Sequence, residues 1–142
     1  MLKTFPTVGI IILRGEEVLL IAKDNHPKHA HQLPGGQIEK GESSVEAACR
    51  ELEETTGLKA KVEDLIAIPT EWEAIIEKDY GKAIFTFTCF VCVKHTGEIK
   101  KTSTAAPEWV ELEQLGGMIL NPNTQNAIDA AIELMSARPL SK

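Results

Sequence analysis

Apolar positions recur along this chain in two rhythms. From Thr7 to Arg14, Val and Ile stand almost shoulder to shoulder, and a short run of this kind predicts a buried strand. Gly15-Glu16 marks a turn, and Glu17 to Ala22 predicts a partner strand, so the pair is expected to form a hairpin. Ala83 to His95 alternates: Phe85, Phe87, Cys89, Val91 and Val93 fall on one face, Thr86, Thr88, Phe90 and Cys92 on the other. This is the strongest strand signal in the chain. Lys59 to Ile68 predicts another strand, and Glu108 to Leu112 a short one after a Thr96-Gly97 turn. Residues 69–82 are read as a connection.

The second rhythm is helical. Between Ser43 and Thr56, Val45, Ala48, Cys49 and Leu52 make one apolar stripe,. Ser43 with Glu46 predicts a capping box, and Gly57 stands where a left-handed C-terminal cap belongs. A second amphipathic helix is expected over residues 122–136, with Ile128, Ala131, Ile132 and Met135 on one face and Pro122 in its first turn. Residues 23–41 carry no period and are rich in His, Pro and Gly, which is loop chemistry. Strands and helices mix without regular alternation, so the expected class is α+β, a mixed sheet layered with helices, in one domain over residues 1–142.

The formal net charge of -6 argues against a broad surface for DNA or RNA. It still permits a polyphosphate ligand if a divalent cation lies between the two anions. Val8 to Leu13, the longest apolar run near the start, is far short of the ~20 residues of a membrane-spanning helix. No basic start or small-residue cleavage site accompanies it, so the expected location is the cytoplasm, with no membrane partner. Cys49, Cys89 and Cys92 form no even disulfide framework. The C-x-x-C spacing of the last two puts their sulfurs on opposite strand faces, which predicts buried apolar packing and not a zinc or redox site.

The chemistry concentrates where a glycine-rich loop leads into the capped helix. Successive helical residues are rotated by ~100°, which sets Glu51 and Glu54 ~60° apart on one face, beside the apolar stripe. Ala47 lies between them by angle and is expected to leave that surface open. Two carboxylates aimed at one spot repel unless a cation or a proton relieves them. Arg50 is placed to hold one of them. Acidic helix faces are commonly just solvated; the glycine loop and the spacing together set this one apart.

Gly36, Glu42, Arg50, Glu51, Leu52, Glu54, Gly57 and Leu58 match the Nudix box in register, a glycine, five residues, a glutamate, seven residues, then Arg-Glu-hydrophobic-x-Glu-Glu-x-Gly-hydrophobic. Leu33-Pro34-Gly35 also resembles what leads into that box. The chain is thus similar to the Nudix hydrolases, whose fold is a mixed β-sheet sandwiched between α-helices. One position departs: Thr55 replaces the second glutamate of the adjacent pair. Glu53 cannot substitute, because it lies ~200° around the helix from Glu51.

The resemblance implies metal-assisted attack of water on phosphorus in a nucleoside diphosphate linked to another group, with Mg²⁺ or Mn²⁺ as cofactor. Glu51, Glu54 and the Gly36 carbonyl become candidate metal ligands, with Glu51 or Glu54 as the alternative general bases. Glu42 and Arg50 would organise them. Glu98, Glu108 and Glu111 are candidates for a further acid from outside the box. Lys23 resembles a position used for substrate phosphates, whereas His29 and His31 are expected to be loop residues. Trp72, Tyr80, Phe85 and Phe87 could stack on a base, the last two being expected in the core. Trp109 resembles a structural position, and Asn121 to Thr124 lie where some relatives read the base edge. Ala74, Ile75 and Ile76 fall where subgroups acting on ADP-ribose or dinucleoside polyphosphates carry a marker proline or tyrosine. The default substrate is therefore a nucleoside triphosphate or a similar small nucleotide. A nucleotide sensor that does not cleave is the alternative, motivated by Thr55, and isoprenoid diphosphate isomerisation on the same fold a more distant one. Oligomeric state stays open, a homodimer included.

Overall fold

The Val/Ile run that opens the chain is shared between two sheets. The computed structural model describes residues 2–23, 30–103 and 105–137. Strand β1 (Lys3–Ile11) pairs in parallel with β7 (Gly81–Cys92), Lys3 opposite Ala83 through Ile11 opposite Val91. On its other edge β1 takes β5 (Gly35–Gln37), and β7 takes β6 (Leu65–Lys78), both antiparallel, giving the order β5-β1-β7-β6. In the second sheet β3 (Glu17–Lys23) pairs antiparallel with β2 (Leu13–Arg14), β4 (His31–Gln32) and β8 (Ala105–Glu111). The expected hairpin therefore survives only as β2–β3. Consecutive apolar residues need cover on both faces, and a solvated two-stranded hairpin cannot supply it.

Alternation along the strands sorts the core. Val8, Ile10, Ile12, Leu19, Phe90 and Cys92 pack in one cluster with Ala47, Ala48 and Leu52 of helix α1 (Ser44–Thr56). Ile11, Val18, Leu20, Cys89 and Val91 pack in the other with Ala127, Ile128 and Ala131 of helix α2 (Thr124–Ala137). The sheets thus lie between two helices, the α+β arrangement that the resemblance implies. Cys89 and Cys92 sit in opposite clusters, and burial pushes their thiols up to about 12 and about 11. Neither has the character of a reactive thiolate.

Helix α1 ends where its sequence says. Ser43 Oγ accepts the Glu46 N–H at 3.2 Å, the Glu46 carboxylate accepts the Ser43 N–H at 2.9 Å, and Gly57 closes the helix at φ 88°. Its buried face is wider than the predicted stripe, taking in Ala47, Thr55 and Thr56. The expectation for Ala47 fails: it is fully buried, because a small residue there lets the helix lie directly on the sheet,.

Other boundaries move. Lys59 makes only an isolated bridge to Thr96, Val62–Asp64 forms a single 3₁₀ turn, and β6 begins at Leu65. The expected connection over 69–82 is mostly strand: β6 runs to Lys78, and Asp79-Tyr80 turns it into β7. The ladder slips between Ala67 and Glu71, an irregularity that contains Pro69, which has no N–H to donate,. Strand β8 begins at Ala105 and includes Pro107, and a 3₁₀ segment, Leu112–Gly117, follows it. Pro122 precedes α2 and does not open it. Asn123, at φ 69°, leads in, and its carbonyl accepts the Ala127 N–H at 2.9 Å. Among the described residues no helix is long and apolar enough to cross a membrane.

Candidate active site

Gly36 lies in β5 opposite Val8, and α1 crosses beside it. A Cβ on residue 36 would fall 2.5 Å from the Glu51 carboxyl carbon and from Oε2. The Glu51 carboxylate therefore fills the space that any larger residue at 36 would need. This close approach explains the glycine and brings a backbone segment and an acidic side chain to one point.

Arg50 fixes that carboxylate. Its Nε donates to Glu42 Oε2 at 2.6 Å and Nη2 to Glu42 Oε1 at 3.0 Å, a bidentate fork,. Nη2 also reaches the Gln37 carbonyl at 3.0 Å, while Nη1 donates to Glu51 Oε2 at 2.9 Å and Glu54 Oε1 at 3.3 Å. One guanidinium thus ties β5, the loop and α1 together. Its hydrogen bonds, helped by the Glu39 N–H at 2.9 Å, hold the Glu42 carboxyl down at about 2. The Glu42 bond in turn raises the pKa of Arg50.

Four carboxylates, Glu39, Glu42, Glu51 and Glu54, lie within ion-pair reach of that single guanidinium. The excess of negative charge and the hard oxygen donors suit a divalent cation of the magnesium type, which uses one or two protein carboxylates and keeps waters and phosphate oxygens. Among the described residues no three His, Cys, Asp or Glu side chains converge as a ready cage. Glu51, Glu54 and the Gly36 carbonyl are the groups that would hold the ion. Thr55 is buried within the helix packing, and its hydroxyl donates back to the Glu51 carbonyl at 2.7 Å,.

A cleft of about 1000 Å³ opens at Gly36 and Glu51 and runs past Phe85 and Phe87 to Asn121 and Thr124. The segment before α2 is held in place from two sides. Asn121 donates from Nδ2 to Gln32 Oε1 at 2.6 Å and from its N–H to the His31 carbonyl, and Asn123 Nδ2 reaches the Glu73 carbonyl at 3.0 Å. Phe85 and Phe87 pack toward the core, as expected, and also wall the cleft.

Other candidates lie elsewhere. Trp72 packs against the α2-side core and does not line the cleft; Tyr80 sits in the β6–β7 turn. Glu108 is spent on His31, whose Nε2 is 2.7 Å from its carboxylate. Glu98 is exposed, with its carbonyl beside Gly57 at the far end of α1. Glu111, at the end of β8, faces Glu17 in the ladder, and the Trp109 ring carries the Arg14 guanidinium 4.0 Å above it. Lys23 ends β3 opposite Ala105; the phosphate role expected of its side chain, like His29, lies outside the described residues. Lys40 and Lys78 line the cleft and were not singled out in the sequence. Isolated lysines give no signal until strands far apart in the chain are brought together.

The fold and the Gly36–Glu51–Arg50 cluster define a class. The NUDIX domain model matches residues 3–133, and the chain belongs to the Nudix family. It is 42% identical over 66 residues to the ADP-ribose pyrophosphatase of Methanocaldococcus jannaschii, covering 44% of this chain and 39% of that one. It is 39% identical over 67 residues to the RNA pyrophosphohydrolase of Teredinibacter turnerae, covering 47% and 39%. With Nudix hydrolase 6 of Arabidopsis thaliana it shares 34% over 116 residues, covering 75% and 39%. The chain spans about two fifths of the length of these relatives. Among solved structures, the MutT NUDIX hydrolase of Burkholderia pseudomallei superposes with a TM-score of 0.77 at 23% identity, covering 90% of this chain and 98% of that one. A bifunctional NMN adenylyltransferase/ADP ribose pyrophosphatase of Francisella tularensis, complexed with AMP and a manganese ion, gives 0.69 at 23%, covering 94% and 42%.

Proposed function

We propose that this chain is a pyrophosphohydrolase that cleaves a phosphoanhydride bond in a nucleoside triphosphate or related small nucleotide. The observation that carries the reading is the Glu51 carboxylate pressed onto the Gly36 backbone at the mouth of the cleft. Glu51, Glu54 and the Gly36 carbonyl would hold a divalent ion, which would supply charge neutralisation and activation of water. Arg50 keeps both carboxylates aimed, and Glu42 keeps Arg50 aimed. Either Glu51 or Glu54 takes the proton from the attacking water. Lys40 and Lys78 offset phosphate charge, Phe85 and Phe87 give the base an apolar wall, and Asn121 and Thr124 offer polar contacts to its edge,. The manganese-bound neighbour and the pyrophosphatase names of the relatives support this reading.

A phosphate-release screen over nucleotides and nucleotide sugars, with Mg²⁺, Mn²⁺ or chelator, tests it. Metal-dependent turnover that vanishes in Glu54→Gln is the expected result. The second reading, a nucleotide sensor without turnover, is favoured by one observation: residue 55 offers a buried hydroxyl where the family motif has a carboxylate. Tight nucleotide binding with no turnover under any metal would establish the sensor and reject the hydrolase.

A further inference from the structure

Beyond the main cleft, the β6–β7 turn carries a second recess of about 380 Å³, lined by Lys3, Phe5, Tyr80 and Lys82. Tyr80 is 64% exposed, although its ring meets Phe5 edge-on at 6.3 Å. Phe5 stacks on Phe85 at 5.3 Å, and Phe85 walls the main cleft. The aromatic row Tyr80–Phe5–Phe85 therefore joins the two recesses along one sheet face. Lys78 marks the junction: it lines the cleft, and its ammonium stands 5.2 Å over the Phe85 ring. Among the described residues, Lys3, Lys78 and Lys82 enter no ion pair within 4.0 Å, although Glu77 lies opposite Lys82 in the ladder. In a protein of net charge -6, two lysines without an ion pair beside an open aromatic ring, with a third at the junction to the main cleft, suit an anion that also has a flat face.

We propose that this recess is a second subsite, which binds the base and phosphate of a further nucleotide unit joined to the one in the main cleft. The inference rests on the nucleotide reading of that cleft. Tyr80 presents a stacking face that tolerates any base, and Lys3 and Lys82 take the linking phosphate. Substrates with two nucleotide units, such as a 5′-phosphorylated RNA end or a dinucleoside polyphosphate, gain contacts that a mononucleotide cannot make.

The test begins with binding in Mg²⁺ of ligands that have no phosphoanhydride bond, so that no turnover occurs. Calorimetry compares uridine 5′-monophosphate with the dinucleotide pUpU on the full chain. Wild type is expected to bind pUpU about tenfold more tightly or better. That ratio should fall close to one in Tyr80→Ala/Lys82→Ala and persist in Tyr80→Phe. Turnover of UTP, pppUpU and diuridine tetraphosphate then separates the sources. A gain for pppUpU alone identifies an RNA end, and an equal gain for the tetraphosphate identifies a free dinucleotide. A wild-type ratio near one, or a ratio that survives the double substitution, overturns the subsite whatever the turnover shows. A ratio that behaves as expected with no hydrolysis of any substrate leaves the subsite standing and removes only the hydrolase.

Discussion

Arg50 grips Glu42 with two parallel hydrogen bonds, 2.6 Å from Nε to Oε2 and 3.0 Å from Nη2 to Oε1. A lysine cannot reproduce this fork, being a point charge on a flexible stem. With it would go the bonds that restrain Glu51 and Glu54. Arg50→Lys is expected to lower kcat/KM roughly hundredfold through misplacement of those carboxylates. Steady-state kinetics on the best substrate from the screen decides it, and wild-type rates would mean that the carboxylates hold themselves.

The same pair sets an acid limb. The Glu42 carboxyl is depressed from 4.5 to about 2 by Arg50 and the Glu39 N–H. A group whose folded pKa is lowered stabilises fully above its unfolded value and loses that contribution as pH falls toward the folded one. Glu42→Gln should therefore be less stable than wild type at pH 7, with the gap closing between about 4.5 and 2. Urea unfolding along a pH series measures this. A gap that stays constant down to pH 2 contradicts the pairing.

Gly36→Ala places a methyl group 2.5 Å from the Glu51 carboxylate. The side chain can swing outward, so the fold is expected to survive with an unchanged far-ultraviolet spectrum. Activity should drop by about two orders of magnitude, because the acid is displaced from the backbone it faces. Retention of activity would separate Glu51 from the chemistry.

Thr55→Glu puts a carboxylate where the wild-type side chain is 2% exposed. In chelator the variant should lose at least ~2 kcal/mol, the cost of burying an unsatisfied polar group, raised by the charge. Manganese should return more stability to the variant than to wild type, since the new carboxylate gains by facing the ion. Equal metal responses would show that residue 55 does not reach the site.

Cys89 and Cys92 should resist a thiol reagent in the native state and react only after denaturation. Burial raises both thiols and shields both sulfurs,. Fast native labelling of either one, read by mass spectrometry, would place that strand at the surface.

Helix α1 was legible because its signals are local: a Ser43 cap, a stripe at helical spacing, and a glycine that closes the helix. The glycine loop and acidic pair were legible because all the residues involved lie between 36 and 58. Strand β6 is legible only over Leu65 to Ile68, since beyond it the outward face mixes Glu71, Glu73 and Glu77 with an exposed Ile75, and Pro69 interrupts the alternation. Ala47 is buried and not open because its angle around the helix does not set the depth to which α1 settles on the sheet. Lys40 and Lys78 enter the cleft through tertiary closure, and Trp72 was drawn into the core by its cross-strand neighbour Phe87.

The parallel ladder that seats Lys3–Ile11 against Ala83–Val91 joins segments made far apart in time during synthesis. Residues on the two strands, such as Thr7 and Thr86, are separated by 79 positions, and the Thr7 hydroxyl bonds the Thr86 carbonyl at 2.6 Å. Contacts of such long range are slow to form, because the loop must close before they stabilise anything. A chain made only through α1 holds the acidic residues but lacks Phe85, Phe87, Asn121 and Thr124 of the cleft wall. The cleft can close only after β7, which carries Phe85 and Phe87, has been made and paired.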